Sequence, residues 1–194
     1  MWDKLKVKDF ITLYDIDVNQ NLTLPEKQQK MLAYIEGQDE EVYDYIKYRE
    51  LVRLFNEKLS FWNNIPETKP VDYLQVGDNR YKFCFEVSEI NSGQYIDITA
   101  FGQEVVAMNK IAACFFLPMQ GDKYMEYGMI PHDKVADDLL EANFLEVYSC
   151  MVFFYQLFKE LIRDTLTSSN LKEETKQILL HLWNDGVGLF PPRK

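Results

Sequence analysis

The segment from Phe144 to Ile162 constrains the fold of this 194-residue chain more than any other feature of its sequence. Its aromatic and aliphatic side chains would cover nearly the whole circumference of a helix. A helix that is apolar on all sides has to be buried on all sides. We therefore predict that it is the central helix of the fold, or that a second subunit completes its burial. Its most apolar window, Val147 to Phe158, is too short to span a bilayer.

Helix start and stop signals divide much of the remaining chain. The segment from Thr23 to Glu26 reads Thr-Leu-Pro-Glu, which is a capping box with proline just inside a helix start. Gly37 is placed to end that helix. Apolar spacing also predicts a first helix over about residues 7–16 and a last helix that ends near residue 184. The whole pattern predicts about seven or eight helices.

Strand periodicity is confined to one part of the chain. Residues 71–76 and 80–87 alternate between apolar and polar side chains, and the turn-forming residues Gly-Asp-Asn lie between them. An isolated hairpin is marginal in water, so this one has to pack on helices or join another sheet. We predict an α+β, mostly α fold, in which residues 1–188 form a single helix-rich domain with one embedded β-hairpin near residues 71–87.

The segment after the hairpin region combines a predicted helix with a predicted loop. Residues 104–117 have helical spacing, whereas residues 120–129 have the least regular pattern of the chain and are predicted to be an exposed loop. Exposed aromatic side chains are common at protein interfaces. The candidate partner-binding residues here are Tyr124 and Tyr127, together with Trp183 of the last predicted helix.

Few residues of this chain could perform chemistry at neutral pH. There are two histidines, His132 and His181, and neither lies in a nucleophile motif. His132 precedes Asp133, but neighbours at i and i+1 do not face each other on a helix, so we predict a surface histidine near a helix start. The sequence has no phosphate-binding loop and no metal-ligand spacing. We therefore expect no catalytic residue, no metal and no cofactor.

The cysteines and the paired acids both have structural interpretations. Cys84, Cys114 and Cys150 show no paired spacing and are predicted to be small buried hydrophobic residues in a reducing compartment. Acidic pairs such as Asp137 and Asp138 lie near predicted helix starts or on polar faces. Such charges are usually solvated or stabilised by the helix dipole.

The formal net charge of −10 constrains the partners. Proteins that bind nucleic acid usually present a basic face to the phosphates, but here the 21 Lys and Arg residues are interleaved with 31 Asp and Glu residues. Direct nucleic-acid binding is therefore disfavoured, and a basic protein partner is compatible with the charge. We expect no membrane contact, and the first ten residues show no signal-peptide core.

The C-terminal residues 189–194, Leu-Phe-Pro-Pro-Arg-Lys, are predicted to form an extended arm that docks on a neighbouring subunit. Two consecutive prolines favour an extended backbone and lower the entropy lost on binding. The candidate partner-binding residues are Leu189, Phe190 and Arg193, since Phe190 offers an apolar anchor and Arg193 adds positive charge. The alternative is a frayed terminus.

Three stretches together carry a family resemblance. They are WDKLKVKDFITLYDI from Trp2, LPEKQQKMLAYIEGQDEEVYDY from Leu24, and GDNRYKFCFEVSEINSGQYIDITAF from Gly77. Their order resembles that in small virion and tail-assembly proteins of tailed bacteriophages, particularly the crAss-like group. The similarity covers roughly the first two thirds of the chain and includes no catalytic signature, so no functional residue is transferred by it.

The resemblance implies a non-enzymatic bacteriophage structural protein. Such a protein would be a virion component, made in the host cytoplasm, that contacts capsid, portal or tail proteins at the capsid or the portal vertex and can also self-associate. The alternative in the same setting is a tail-assembly chaperone that is absent from the mature particle. A third hypothesis, from a different class, is a small hydrolase that uses an Asp or Glu side chain with His132.

Overall fold

The computed structural model describes residues 1–84, 86, 89–101 and 104–167. Within these residues the chain forms an α+β structure that is mostly helical, which confirms the predicted fold class. Short 3₁₀ helices connect several of the longer elements. The elements are α1 (Val7–Val18), α2 (Leu24–Glu36), α3 (Tyr48–Leu59), β1 (Tyr73–Val76), β2 (Asn79–Phe83), α4 (Ser92–Phe101), α5 (Met108–Ala113), β3 (Phe116–Gln120), β4 (Lys123–Tyr124), α6 (His132–Leu139) and α7 (Phe144–Thr167).

The capping signals are placed as the sequence predicts. The carboxylate of Glu26 accepts hydrogen bonds from the backbone N–H of Thr23 at 2.7 Å and from its hydroxyl at 2.6 Å. Helix α2 ends at Gly37, whose φ of 61° lies in the left-handed region that glycine enters at little cost. The start and end of α2 therefore follow from local chemistry.

The sheet contains the predicted hairpin and two further strands. The four strands are antiparallel in the order β1-β2-β3-β4. Strand β3 pairs with β2 so that Phe116 lies opposite Phe83 and Leu117 lies opposite Lys82. The prediction of a helix over residues 104–117 is therefore wrong, because helix α5 covers only Met108–Ala113. Short apolar runs suit a buried strand as well as a helix, and here pairing with a distant strand decides.

The predicted exposed loop at residues 120–129 is also partly strand. Lys123 and Tyr124 form β4, and Gly121 has a φ of 62° in the turn between β3 and β4. Most of the remaining residues of this segment are exposed, as predicted. The pairing of Met119 with Tyr124 fixes the position of the Tyr124 side chain on the sheet.

The N-terminal segment is bound to the junction between α6 and α7. The first amides of α1 lack partners within their own helix, as at every helix start. Here the N–H of Val7 donates to the carbonyl of Ala142 at 3.0 Å, and the N–H of Lys8 donates to that of Leu140 at 3.0 Å. In return, the N–H of Phe144 donates to the carbonyl of Leu5 at 2.9 Å. The start of α1 and the start of α7 therefore stabilise each other.

An aromatic cluster lies beneath this junction. The ring of Trp2 stacks on Trp62 at 5.6 Å and on Phe144 at 5.2 Å between centroids. Phe10 stacks on Phe144 at 4.1 Å. Stacked aromatic pairs contribute about 0.5–1.5 kcal/mol each beyond the burial of their area. The cluster joins α1, the α3 end and α7 into one core.

Helix α7 is buried on most of its described surface. Between residues 144 and 157 only Glu146 and Gln156 are exposed. Its fully buried hydrophobic residues are Phe144, Val147, Cys150, Met151 and Phe154. The prediction of a buried central helix is confirmed for these residues, whereas Leu145, Val152 and Phe153 are only partly buried.

The hairpin docks on α6 through one carboxylate. The hydroxyl of Tyr81 donates to Oδ2 of Asp138 at 2.6 Å, and the side-chain amide of Asn79 donates to the same oxygen at 3.0 Å. Asp138 was predicted to be a solvated charge, and that prediction is wrong. The residues that neighbour Asp138 in the sequence could not predict this contact, because Asn79 and Tyr81 lie 59 and 57 residues away.

The indole of Trp2 generates a first testable prediction. Trp2 is buried, and its N–H donates to the carbonyls of Asn64 at 2.8 Å and Phe61 at 3.1 Å. Trp2→Ala should lower the free energy of unfolding by about 3–5 kcal/mol, because a large cavity opens at the junction. Trp2→Phe should lower the free energy of unfolding by less than Trp2→Ala, because it removes mainly the two hydrogen bonds of the indole.

Urea unfolding followed by circular dichroism measures both effects. The control is Tyr45→Ala, which removes a side chain that is 92% exposed and should change stability by less than about 0.5 kcal/mol. Equal midpoints for Trp2→Ala and Tyr45→Ala would show that the N-terminal segment does not anchor the core.

The contact between the hairpin and α6 generates a second prediction. In a double-mutant cycle, Tyr81→Phe and Asp138→Ala should be coupled by about 1–2 kcal/mol, because the hydrogen bond joins a buried phenol to a charged group. Thermal unfolding of the wild type, both single variants and the double variant measures the coupling. The control is Tyr34→Phe, which removes a phenol–carboxylate hydrogen bond to Asp9 at the surface. It should lower the free energy of unfolding by less than Tyr81→Phe does. Strict additivity in the cycle would mean that the bond contributes nothing to hairpin docking.

Candidate functional site: an acidic groove on the sheet

A groove of about 600 Å³ lies on the face of the sheet that points away from the core. Strand alternation places Leu74, Tyr81 and Phe83 toward the core, where they are buried. On the opposite face, the register sets Tyr73 beside Lys82 and Lys82 beside Leu117. We call the concave site over this face the acidic groove. Its lining residues are Asp72, Tyr73, Lys82, Phe83, Cys84, Glu86, Glu89, Ile90, Asn91, Gln94, Leu117, Tyr124, Glu126 and Tyr127.

The start of helix α4 forms one wall of the groove. The backbone N–H of Asn91 donates to the side-chain oxygen of Gln94 at 3.0 Å, and the N–H of Gln94 donates to that of Asn91 at 3.0 Å. The buried amide of Gln94 also donates to the carbonyl of Cys114 at 2.9 Å. This reciprocal cap holds the wall against the core. The capping residue is Asn91, directly before the start of α4 at Ser92.

Two of the predicted partner-binding residues, Tyr124 and Tyr127, lie together in the acidic groove. Tyr124 is 49% exposed, and the ammonium of Lys82 lies 4.9 Å from the centre of its ring. The hydroxyl of Tyr127 donates to the carboxylate of Asp97. Burial raises the pKa of Tyr127 above its ordinary value, and the bond to Asp97 raises it further, so its phenol stays protonated. One tyrosine is therefore exposed and the other is fixed.

A third aromatic ring completes the groove on the β1 side. Tyr73 is exposed, and the guanidinium of Arg80 lies 4.1 Å from the centre of its ring. A cation over a ring face contributes about 0.5–1 kcal/mol at an exposed site. Arg80 thus orders the ring of Tyr73 without closing the groove over it.

The charge of the groove is predominantly negative. Four exposed carboxylates line it, whereas Lys82 is the one basic residue among the described lining residues. Within the described part of the chain, these carboxylates take part in none of the ion pairs. No cationic side chain of the described residues therefore neutralises them through an ion pair. The four are Asp72, Glu86, Glu89 and Glu126.

His132 lies behind the groove rather than in it. Its side chain is only 16% exposed, stacks on Phe101 at 5.5 Å between ring centres, and contacts the edge of Tyr127 at 6.1 Å. The prediction of a surface histidine is wrong, although His132 does begin helix α6. The helix start was visible in the sequence, but the aromatic rings that cover it come from distant elements.

The thiol of Cys114 lies beside His132, but its surroundings do not favour the thiolate form. Nε2 of His132 lies 2.9 Å from the carbonyl of Lys110 and 3.7 Å from Sγ of Cys114. A carbonyl oxygen can only accept a hydrogen bond, so Nε2 carries a proton and donates a hydrogen bond to the carbonyl of Lys110. Nε2 therefore has no free lone pair with which to accept the proton of the Cys114 thiol. Burial raises the pKa of the Cys114 thiol to about 12. The nearest described carboxylate oxygen to Nδ1 belongs to Asp133, at 3.9 Å.

The remaining predicted site residues are not placed. Trp183, Leu189, Phe190 and Arg193 lie outside the described residues, as do His181 and the predicted arm at 189–194. Sequence reasoning missed Tyr73, Lys82 and the four carboxylates of the acidic groove. The alternation of the hairpin indicated that some of these side chains point outward. It could not show that the 124–127 segment faces them, because residues 116–117 had been predicted as the end of a helix and residues 120–129 as a loop.

The described residues contain neither a metal-ligand cluster nor a membrane-spanning helix. No group of three or more His, Cys, Asp or Glu side chains is arranged there to hold a metal ion. None of the helices in that part of the chain combines the length and apolarity needed to cross a membrane.

Comparisons with protein-family models, with curated proteins and with solved structures give no match for this chain.

Thiol reactivity provides a test of the arrangement around His132. Burial raises the pKa of Cys114 to about 12 and that of Cys150 to about 11, so almost no thiolate forms at pH 8 in either case. Iodoacetamide should therefore modify the half-exposed Cys84 first in the native protein, and all three cysteines at similar rates in denaturant. Peptide mass spectrometry over time measures the order. If Cys114 reacts fastest in the native protein, His132 activates it after all.

Proposed function

We propose that this protein is a non-enzymatic bacteriophage structural protein that works through contacts with other virion proteins. The observation that carries the proposal is the acidic groove, in which exposed aromatic rings converge on one face of the sheet with carboxylates that form no ion pair among the described residues. The phage setting is supported by the resemblance of the first two thirds of the chain to small virion and tail-assembly proteins. The site in the particle, at the capsid or the portal vertex, follows from the same resemblance.

The composition of the groove favours a protein segment as its occupant. Tyrosine is enriched in interface cores because it offers a rigid apolar surface with a polar end. Tyr73 and Tyr124 are each nearly half exposed at the mouth, so the groove is open along the surface rather than closed around a small molecule. Negative charge around such a groove selects a basic segment and speeds its association. A segment of a partner protein with apolar and basic side chains fits this description.

The surroundings of His132 give the hydrolase hypothesis less support. A hydrolase of the expected kind needs His132 in an open pocket with carboxylates that converge on it. Among the described residues His132 is largely buried by aromatic rings, and its Nε2 is held by a backbone carbonyl. The same groove would serve a tail-assembly chaperone, which also acts by binding protein segments.

Mass spectrometry of purified particles separates the two phage roles. If the protein is a virion component, its peptides should be present at a constant ratio to the major capsid protein through successive gradient purifications. A host cytoplasmic protein serves as the control, since its ratio should fall with each step. Loss of this protein in parallel with the host control would exclude the virion role and favour the chaperone.

A further inference from the structure

We propose that the acidic groove of one copy binds the C-terminal residues 189–194 of a second copy. This inference rests on the proposed function, since it names the partner segment of the same site. It assigns a receptor to an arm that the sequence by itself could only describe as extended and basic.

The chemistry of residues 189–194 matches the lining of the groove. Proline-rich segments adopt an extended helix with little loss of entropy, and they dock in grooves lined by aromatic rings. The acidic groove presents three tyrosine rings for such a contact, and Leu117 forms part of its floor. Phe190 and the two prolines therefore have apolar and aromatic surfaces to cover. The tyrosines are Tyr73, Tyr124 and Tyr127.

The charges are complementary as well. The whole chain has a net charge of −10, so two copies repel each other at long range. Arg193 and Lys194 form a basic end next to the apolar part of the segment. Among the described residues, the lining offers four carboxylates against the ammonium of Lys82, and the guanidinium of Arg80 lies over the ring of Tyr73 at one side. The tail is thus a part of the chain that a negatively charged groove attracts.

The length of chain beyond the described residues permits contact with a second copy. Helix α7 ends at Thr167, and residues 168–188 lie between it and the basic segment. Fully extended, this stretch would reach up to about 70 Å. The last helix that the sequence predicts within it shortens the reach to about 45 Å. A tail that binds a different surface on the next copy makes a head-to-tail contact, which closes into a ring or continues as a filament. Repeated copies in a particle are built from such contacts.

A peptide titration tests the contact itself. The receptor is the full-length variant Arg193→Glu/Lys194→Glu, whose own tail cannot compete, and the probe is a labelled peptide of residues 187–194. Fluorescence anisotropy should show saturable binding that weakens with salt, because the contact is largely electrostatic. A peptide carrying the same two charge reversals should not bind.

Substitutions in the groove locate the binding site. Glu89→Lys/Glu126→Lys in the receptor should weaken peptide binding by at least about tenfold, because two attractive charges become repulsive. The matched control is Glu41→Lys/Glu67→Lys, which makes the same change in net charge at exposed positions outside the groove. Tyr124→Ala should also weaken binding, whereas Tyr45→Ala should not. Equal effects of the groove pair and the control pair overturn the proposal, provided that thermal unfolding shows every variant folded.

Mixing experiments decide whether the tail binds in a second copy. In analytical ultracentrifugation the wild type should self-associate, while the tail variant and the groove variant should each be monomeric. Their mixture should form a one-to-one complex, because the intact tail of one variant meets the intact groove of the other. A wild type that stays monomeric at high concentration overturns the proposal, even if the peptide binds, since the tail then occupies its own groove or none.

The two proposals fail separately. If the protein is found in particles but its self-association does not depend on the groove, the tail contact is rejected and the virion role stands. Groove-dependent association of a protein that is absent from particles rejects the virion role alone.

Discussion

The exchange of backbone hydrogen bonds between the N-terminal segment and the α6–α7 junction is the interaction on which the rest of the structure depends. Val7 donates to Ala142, and Phe144 donates to Leu5, so two helix starts about 140 residues apart share their unsatisfied groups. Burial of Trp2 against Phe144 adds an apolar contact at the same place. Because α7 starts here, this junction sets the direction in which its buried face enters the core. The sheet is then packed against that face, where Phe83 contacts Phe153.

The acidic groove is a consequence of how the sheet is attached. The bond from Tyr81 to Asp138 holds the inner face of the hairpin on α6, which leaves the side chains of Tyr73 and Lys82 on the outer face. Pairing of β3 with β2 extends that face, and Tyr124 and Tyr127 line the same groove. Exposed aromatic surface grouped on an open sheet face is typical of an interaction site. It is the reason for assigning the groove, rather than His132, to function.

The titratable groups in the core have structural roles. Cys114 and His132 are close enough to suggest a catalytic pair, but the carbonyl of Lys110 fixes the histidine tautomer, and burial keeps the thiol protonated. Cys150 is held by the backbone of Val71 in a similar way. In each case a polar group is buried because its hydrogen bonds are satisfied within the fold. The carboxylates of the acidic groove, by contrast, are exposed.

The sequence by itself determined the features that depend on neighbouring residues. The Thr23–Glu26 capping box, the helix end at Gly37, the hairpin turn at Gly77 and the burial of α7 all follow from contacts within a few residues or from a helical period. Tertiary structure alone decided the features that join distant segments. The pairing of Phe116 with Phe83 converted a helical pattern into a strand, and the packing of Phe101 on His132 buried a side chain expected at the surface. The groove belongs to the second kind, because its carboxylates come from segments that have no common period and meet only when the sheet forms.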